Sequence, residues 1–270
     1  MNTELFFSSL WQDYINMTPQ AEAIHNALTQ RGESVQNDHV AFRTFNRGPI
    51  RLECLEPFIL EMGYERFEPY HFSGKKLDAW GYIHPDANKP RIFLSELRVE
   101  ELSDQAQSII QKLIDQIDAK DIADASIFWR GTLWATPSWE DYQALAEESE
   151  YAAWLSVIGL RCNHFTVNVN ALNSINGIEA MNLLVEDLGY TINSSGGRVK
   201  GSPAVLLEQA STKASVQAFT FADGQQHDVT TCYYEFAKRY FDDNGKLYQG
   251  FVAASADKIF ESTDMRPAMA

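Results

Sequence analysis

Histidine lies at the start of two similar segments that both have the composition of a β-strand. The first, D-H-V-A-F, contains His39, and the second, N-H-F-T-V, contains His164. A third strand-like segment, T-C-Y-Y-E-F-A-K-R-Y, carries Glu235. Two imidazoles and one carboxylate from different strands make up the facial-triad ligand set, which leaves positions around a divalent metal open and suits Fe(II) oxygen chemistry. The pattern indicates a metal site formed by His39, His164 and Glu235.

The residue types alone leave other interpretations open. A histidine in a strand is often only a core or rim residue. Glu235 could be a strand-edge charge that pairs with Lys238 or Arg239, and His71 is a possible replacement ligand. Glu96 lies in the strand-like segment I-F-L-S-E-L-R-V, at a position that we interpret as the repeat counterpart of Glu235. It could be a fourth ligand, a group that orients a ligand, or an exposed carboxylate.

Arg43 follows His39 in the same strand-like segment, N-D-H-V-A-F-R-T-F. Successive side chains of a strand point to opposite faces, so His39 and Arg43 share a face, with their Cα atoms about 13 Å apart. The planar guanidinium binds carboxylates through two parallel hydrogen bonds. The spacing therefore leaves room for a small dicarboxylate between a metal and Arg43. The alternative is a structural pair between Arg43 and a carboxylate of the protein.

The segments around the two histidines repeat in the same order. A Gly-Tyr pair follows His39 by 24 positions and His164 by 25, where a predicted helix ends and a strand begins. The sequence therefore predicts an α+β protein with two βαβββ-type units. We divide the single catalytic domain, residues 1–270, into five segments: N-terminal helices at 1–34, a first unit at 35–100, a helical insert at 101–160, a second unit at 161–242 and a C-terminal segment at 243–270.

Composition limits the partners and the compartment. With 22 Lys and Arg against 37 Asp and Glu, the net charge of −15 disfavours nucleic acids and anionic membranes as partners. The three cysteines are widely spaced and form no CxxC motif, which gives no sign of a thiolate metal site or of a disulfide framework. We see no signal peptide and no apolar run long enough to span a membrane, and we expect a cytoplasmic protein.

Together these segments resemble a known family. D-H-V-A-F-R-T-F, P-R-I-F-L-S-E-L-R-V-E-E-L, N-H-F-T-V-N-V-N, V-L-L-E-Q-A-S-T-K-A and Y-Y-E-F-A-K-R-Y are similar to motifs of the 2-oxoadipate dioxygenase/decarboxylase (hydroxyglutarate synthase) family. The resemblance extends from about residue 35 to the C-terminal F-E-S-T-D-M-R-P. It implies a vicinal-oxygen-chelate-like fold, in which the two units form a curved sheet or barrel.

The resemblance also implies an activity. The protein would be a non-haem Fe(II) dioxygenase and decarboxylase that uses O2 and a 2-oxo dicarboxylic acid, converting 2-oxoadipate to 2-hydroxyglutarate and CO2. Carried over by position, His39, His164 and Glu235 would hold Fe(2+), and Arg43 would bind a carboxylate of the substrate. The roles of Glu96 and Gln209, the product stereochemistry and the oligomeric state stay open.

Two further functions stay open beside this one. A redox-inert metal could serve a glyoxalase-like isomerase or a hydrolase, and a fourth ligand such as Glu96 would favour that reaction class. Alternatively, the protein could be a non-catalytic binding module in which His39 and His164 merely line a pocket.

Overall fold

The computed structural model describes residues 2–263. The last seven residues of the predicted C-terminal segment, which include part of F-E-S-T-D-M-R-P, lie outside the described residues. Two helices begin the chain, α1 (Thr3–Met17) and α2 (Pro19–Gln30). Asn2 caps α1 by accepting a hydrogen bond from the Leu5 amide, and Pro19 begins α2 at a position where its missing amide hydrogen is not needed.

The first unit is a strand, a helix and three further strands, as the repeat predicts. Its elements are β1 (Asn37–Phe45), α3 (Leu52–Leu60), β2 (Glu65–Phe72), β3 (Leu77–Ile83) and β4 (Arg91–Leu97). A helical insert follows, and its main helices are α4 (Asp104–Ile114), α5 (Trp139–Glu148) and α6 (Glu150–Ile158).

The second unit has the same order of elements, with one addition. Its elements are β5 (Cys162–Asn168), α7 (Ile178–Asp187), β6 (Lys200–Ser202), β7 (Leu207–Ser211), β8 (Val216–Thr220), β9 (Gln226–Thr230) and β10 (Tyr233–Arg239). The strands β8 and β9 form a separate hairpin outside the main sheet. After β10 the chain ends in α8 (Ala253–Phe260) and a 3-10 turn, Glu261–Thr263.

The two units share one eight-stranded sheet with the order β2-β3-β4-β1-β5-β10-β7-β6. Their first strands, β1 and β5, pair antiparallel at the centre of the sheet. On either side the last strand of the same unit pairs parallel with the first, β4 with β1 and β10 with β5. The predicted α+β fold of two βαβββ units in a vicinal-oxygen-chelate-like sheet is confirmed.

Helices cover the outer face of the sheet and cross its opening. The helices α1, α6 and α7 pack against β5, β1 and β10, and their apolar side chains join the core. Helix α8 contacts both edge strands, β2 and β6, so it lies across the concave side of the curled sheet. Within residues 2–263, every helix is too short or too polar to cross a lipid bilayer.

Candidate metal centre

His39, His164 and Glu235 meet on the concave face of the sheet, on the three adjacent strands β1, β5 and β10. The Nε2 atom of His164 lies 3.2 Å from Oε2 of Glu235, and Nε2 of His39 lies 3.5 Å from Oε1. The two Nε2 atoms are 3.4 Å apart. All three side chains are buried, and one donor atom of each lies within 4.8 Å of the other two.

The pairing of the strands explains why the three residues meet. The bridging residue is Thr166 on β5, which is opposite His39 on one side and opposite Glu235 on the other. Directly opposed residues project from the same face of a sheet. His164 lies two residues before Thr166 on the same strand and therefore shares that face. Three side chains that are far apart in the sequence are thus brought together by strand register.

The electrostatic surroundings of these residues suit a cation. Burial lowers the pKa of His164 well below its usual range, with help from His39 and Arg43, so its imidazole is neutral and can donate a lone pair. Burial also raises the pKa of Glu235. Within residues 2–263 its Oε2 atom has no hydrogen-bond partner although it is fully buried. A buried carboxylate whose two oxygens each face an imidazole fits a metal ion.

The residue before each histidine fixes the orientation of its ring. Nδ1 of His39 lies 2.7 Å from Oδ1 of Asp38, and Nδ1 of His164 lies 3.1 Å from Oδ1 of Asn163. Each ring therefore donates through Nδ1 and directs Nε2 toward Glu235. The sequence interpretation missed both orienting residues, although the aligned D-H and N-H pairs carried the signal.

Asp38 belongs to a buried charge cluster behind His39. A β-bulge lies here, because Asn37 and His39 pair with the consecutive residues Val167 and Thr166. Arg239 donates two hydrogen bonds to Asp38, at 2.7 and 2.9 Å, and Arg91 donates a third at 3.3 Å. Burial opposes the charge of Asp38, but the two guanidinium groups and His39 hold its pKa well below the usual range. Asp38 therefore remains an ionised acceptor for His39.

Gln209 on β7 orients the carboxylate of the triad. Its Nε2 atom donates to Oε1 of Glu235 at 2.7 Å, and within residues 2–263 its own Oε1 has no partner. The alternative role for Glu235, a strand-edge charge paired with Lys238 or Arg239, is wrong. Glu235 is fully buried, and Arg239 pairs with Asp38 instead.

The interpretation of Glu96 as the repeat counterpart of Glu235 is also wrong. In the first unit His39 is level with Arg91, which places Phe93 where the second unit has Glu235. The half-buried Glu96 accepts a hydrogen bond from the amide of Leu52, at the start of α3, at 2.8 Å. It therefore stabilises a helix end and is not part of the triad cluster. His71 is exposed and pairs with Asp78.

The cavity beside the triad has apolar walls. Phe93 extends from the first unit, and Phe251, Ile259 and Phe260 come from the C-terminal part of the chain. Ala41, Gln209 and Ala256 complete the lining around the triad. Such walls exclude water from bound substrate and strengthen polar interactions inside the cavity.

Arg43 lies near one wall of this cavity, behind Phe260, and has partners of its own. It is buried and donates through Nη1 to Glu150 of the helical insert at 3.1 Å, and through Nη2 to Thr263 at 3.0 Å. Its Nε atom is buried without a partner within residues 2–263. The guanidinium lies 5.9 Å from the ring of Phe260, which lines the cavity. The structural pair considered for Arg43 therefore exists, and unused N–H donors remain.

Comparisons with known proteins identify relatives along most of the chain. The family model for 2-oxoadipate dioxygenase/decarboxylase matches residues 7–246. A chloroplastic/amyloplastic protein of that name from Oryza sativa subsp. japonica is 39% identical, over 95% of this chain and 77% of its own length. The structure of the Oryza sativa hydroxyglutarate synthase in complex with 2-oxoadipate has a TM-score of 0.90 and 36% identity, covering 97% of this chain and 91% of that one. A Shewanella frigidimarina structure with the provisional name of a hydrolase has a TM-score of 0.89 and 45% identity, covering 93% and 98%.

Proposed function

This chain belongs to the 2-oxoadipate dioxygenase/decarboxylase family, and on that premise we propose that it converts a 2-oxo dicarboxylic acid and O2 into a shortened hydroxy acid and CO2 at an Fe(II) centre. For 2-oxoadipate the product would be 2-hydroxyglutarate. The observation that carries the proposal is the buried cluster of His39, His164 and Glu235, which has the donor set of a facial triad.

Two imidazoles and a carboxylate suit Fe(II), whereas metals that prefer thiolate ligands would need a cysteine at the site. His39, His164 and Glu235 would hold the ion and leave positions open for the 2-oxo acid and O2. Bound iron would supply the redox chemistry that activates O2, which protein side chains cannot provide. Cys162 and Cys232 are buried, and burial raises the pKa of both thiols. Within residues 2–263, neither cysteine belongs to the cluster of donor atoms that His39, His164 and Glu235 form.

The protein residues around the cluster would position the acid and keep water out. Asp38 and Asn163 hold the two imidazoles with Nε2 toward the metal position, and Gln209 holds the carboxylate of Glu235. The phenyl rings of Phe93 and Phe251 shield the reacting atoms. These contacts fix the site before substrate binds, which lowers the reorganisation needed during reaction.

Arg43 would bind a carboxylate of the substrate. It lies on β1 beyond His39, with its guanidinium over the rings of Trp154 and Tyr151 and 5.9 Å from the ring of Phe260, which lines the cavity. Two of its five N–H donors are used by Glu150 and Thr263, so others remain for an anion. The cytoplasmic location stays a prediction from the sequence.

Anaerobic reconstitution with Fe(II), followed by an oxygen-electrode screen of 2-oxo acids, tests the proposal. We expect O2 uptake with 2-oxoadipate, one CO2 released for each O2 consumed, and both atoms of 18O2 in the 2-hydroxyglutarate. Stoichiometric zinc or nickel in the isolated protein, with no O2 uptake after Fe(II) loading, would contradict the proposal and favour a glyoxalase-like or hydrolytic enzyme.

A further inference from the structure

Lys200 is a buried cation on the cavity side of the edge strand β6. Its side chain is only 3% exposed. In the antiparallel pair of β6 and β7, Lys200 lies directly opposite Gln209, which lines the cavity and donates to Glu235. Directly opposed residues share a face, with Cβ atoms about 5 Å apart. The stem of Lys200 therefore starts beside Gln209, on the concave face that carries the triad.

Within residues 2–263, the ammonium group of Lys200 has no carboxylate within 4.0 Å, whereas buried basic residues normally have a counterion. Four basic side chains are classed as buried within residues 2–263, and three of them have a carboxylate within 4.0 Å: Arg43 with Glu150, Arg98 with Asp78 and Glu101, and Arg239 with Asp38. Lys200 has none within that distance in the same part of the chain, and its recorded hydrogen bond is to the main-chain oxygen of Asn193.

The charge on Lys200 persists despite this environment. Burial lowers its pKa to about 8, while the more distant carboxylates of Glu235 and Glu261 act in the opposite direction. The ammonium group is therefore mostly protonated at neutral pH. Glu261 does not neutralise it, because its carboxylate already bonds Lys258 and Ser195.

When a dicarboxylate binds, the metal and the triad leave one of its two negative charges without a balancing positive charge. A divalent metal and Glu235 together carry one positive charge, which balances the carboxylate next to the keto group. The pair of Arg43 and Glu150 is neutral as a whole, so Arg43 can supply directed donors but no net charge. Arg91 and Arg239 are held behind His39 by the carboxylate of Asp38 that they share. The second carboxylate of the acid therefore needs another cation, and within residues 2–263 Lys200 is the buried cation with no carboxylate within 4.0 Å.

We propose that Lys200 is a specificity-determining residue whose charge balances the second carboxylate of the substrate and so selects dicarboxylic over monocarboxylic 2-oxo acids. The inference rests on the proposed function for the class of substrate. It differs from a purely structural role, in which Lys200 would only hold the Asn193 carbonyl. A structural role would affect all 2-oxo acids alike, whereas a charge-balancing role affects only those with a second carboxylate.

The test compares 2-oxoadipate with 2-oxohexanoate, which has the same chain length and lacks the second carboxylate. Lys200→Met removes the charge and keeps the length of the side chain, Lys200→Arg keeps the charge, and Lys246→Met makes the same charge change on an exposed residue. Dissociation constants are measured anaerobically by calorimetry on Mn(II)-loaded protein. Turnover is measured separately with Fe(II) and O2.

We expect Lys200→Met to weaken 2-oxoadipate binding by about 10- to 100-fold, the loss that corresponds to one charge-assisted hydrogen bond. Binding of 2-oxohexanoate should change by less than about threefold on the same scale, Lys200→Arg should retain most of the discrimination, and Lys246→Met should behave as wild type. Equal losses for both acids, or no loss for either, would overturn the proposal.

Because binding and turnover are measured separately, the experiment also distinguishes failure of this proposal from failure of the proposed function. Wild-type protein that discriminates between the two acids through Lys200 but consumes no O2 would refute the dioxygenase reaction and leave the role of Lys200 standing. Wild-type protein that turns over 2-oxoadipate, with unchanged selectivity in Lys200→Met, would refute the role of Lys200 alone. Thermal unfolding of each variant verifies that it is folded under the conditions of measurement.

Discussion

Replacement of Glu235 by glutamine gives the sharpest test of the metal centre. Glu235 is the only carboxylate of the triad and is fully buried. Glutamine has nearly the same shape, and its amide oxygen can still accept the hydrogen bond that Gln209 donates. The substitution also removes a buried negative charge. Without metal that charge is unfavourable, since burial raises the pKa of Glu235. We therefore expect the metal-free variant to be at least as stable as metal-free wild type.

The expected effect appears when metal is added. At a free metal concentration of 100 times the Kd, binding stabilises the wild-type fold by about 2.7 kcal/mol. For a domain of this size, that stabilisation corresponds to a rise in Tm of about 5–11 °C. If Glu235→Gln binds the metal at least 100-fold more weakly, the same concentration stabilises it by only about 0.4 kcal/mol, or about 1–2 °C.

Glu96→Gln is the matched control, because it makes the same chemical change in a strand of the other unit. Glu96 accepts the Leu52 amide at the start of α3, and the amide oxygen of glutamine can accept the same hydrogen bond, so Tm should change little, with and without metal. The metal-induced rise itself should remain complete. Thermal unfolding followed by circular dichroism, with anaerobic Fe(II) or with Mn(II), measures both quantities. The reasoning is refuted if Glu235→Gln keeps more than half of the metal-induced rise in Tm seen for wild type. It is also refuted if Glu96→Gln loses as large a part of that rise as Glu235→Gln does.

Three other substitutions test the surroundings of the site and the fold. Arg43→Ala should lower kcat/KM for 2-oxoadipate by about 30-fold to several thousand-fold through the loss of charge-assisted contacts, with Arg43→Lys intermediate and the metal-induced rise in Tm unchanged. Steady-state kinetics that match wild type would reduce Arg43 to the structural pair with Glu150. Asp38→Asn should weaken metal binding by about 10- to 100-fold because His39 loses its ionised acceptor. Chelator competition measures the metal affinity, and a wild-type value would contradict the prediction. Glu33→Gln should destabilise the protein at neutral pH, because hydrogen bonds from Asn173 and Ser174 lower the pKa of Glu33 from 4.5 to about 2. Since the folded-state pKa is depressed, this stability is present above the ordinary pKa and is lost as pH falls toward 2. Urea unfolding should therefore show the difference between wild type and variant narrowing below pH 4.5, and a constant difference would count against the ionised contact.

Local patterns in the sequence determined the architecture and the two histidines. The βαβββ order of each unit follows from the alternation of side chains along strands and the helical spacing between them, which are short-range properties. The repeat of D-H-V-A-F and N-H-F-T-V, each followed by a Gly-Tyr pair, predicted that His39 and His164 occupy equivalent places. The structure places both on the two central strands.

Strand register decided which carboxylate joins the histidines. From the sequence, Glu235 is assigned to the triad and Glu96 is interpreted as its repeat counterpart, because each is the carboxylate of a late strand in its unit. Pairing with β1 places Phe93, and not Glu96, level with the position of Glu235 in the second unit. Glu96 is an odd number of residues from Phe93 and so projects from the other face, toward α3. A register is a hydrogen-bonded relation between strands that are far apart in the chain, and local spacing does not encode it.

The partners of the predicted side chains also depend on the tertiary structure. Asp38 lies beside His39 because a β-bulge interrupts the alternation there, and its charge is held by Arg239, about 200 residues later. Arg43 meets Glu150 because the helical insert packs on β1. Lys200 comes from a strand of three residues that is too short to show a pattern of its own. Sequence periodicity therefore sufficed for the residues whose role depends on their own strand, whereas contacts made by chain segments far apart in sequence were decided only when the sheet curled and the helices closed over it.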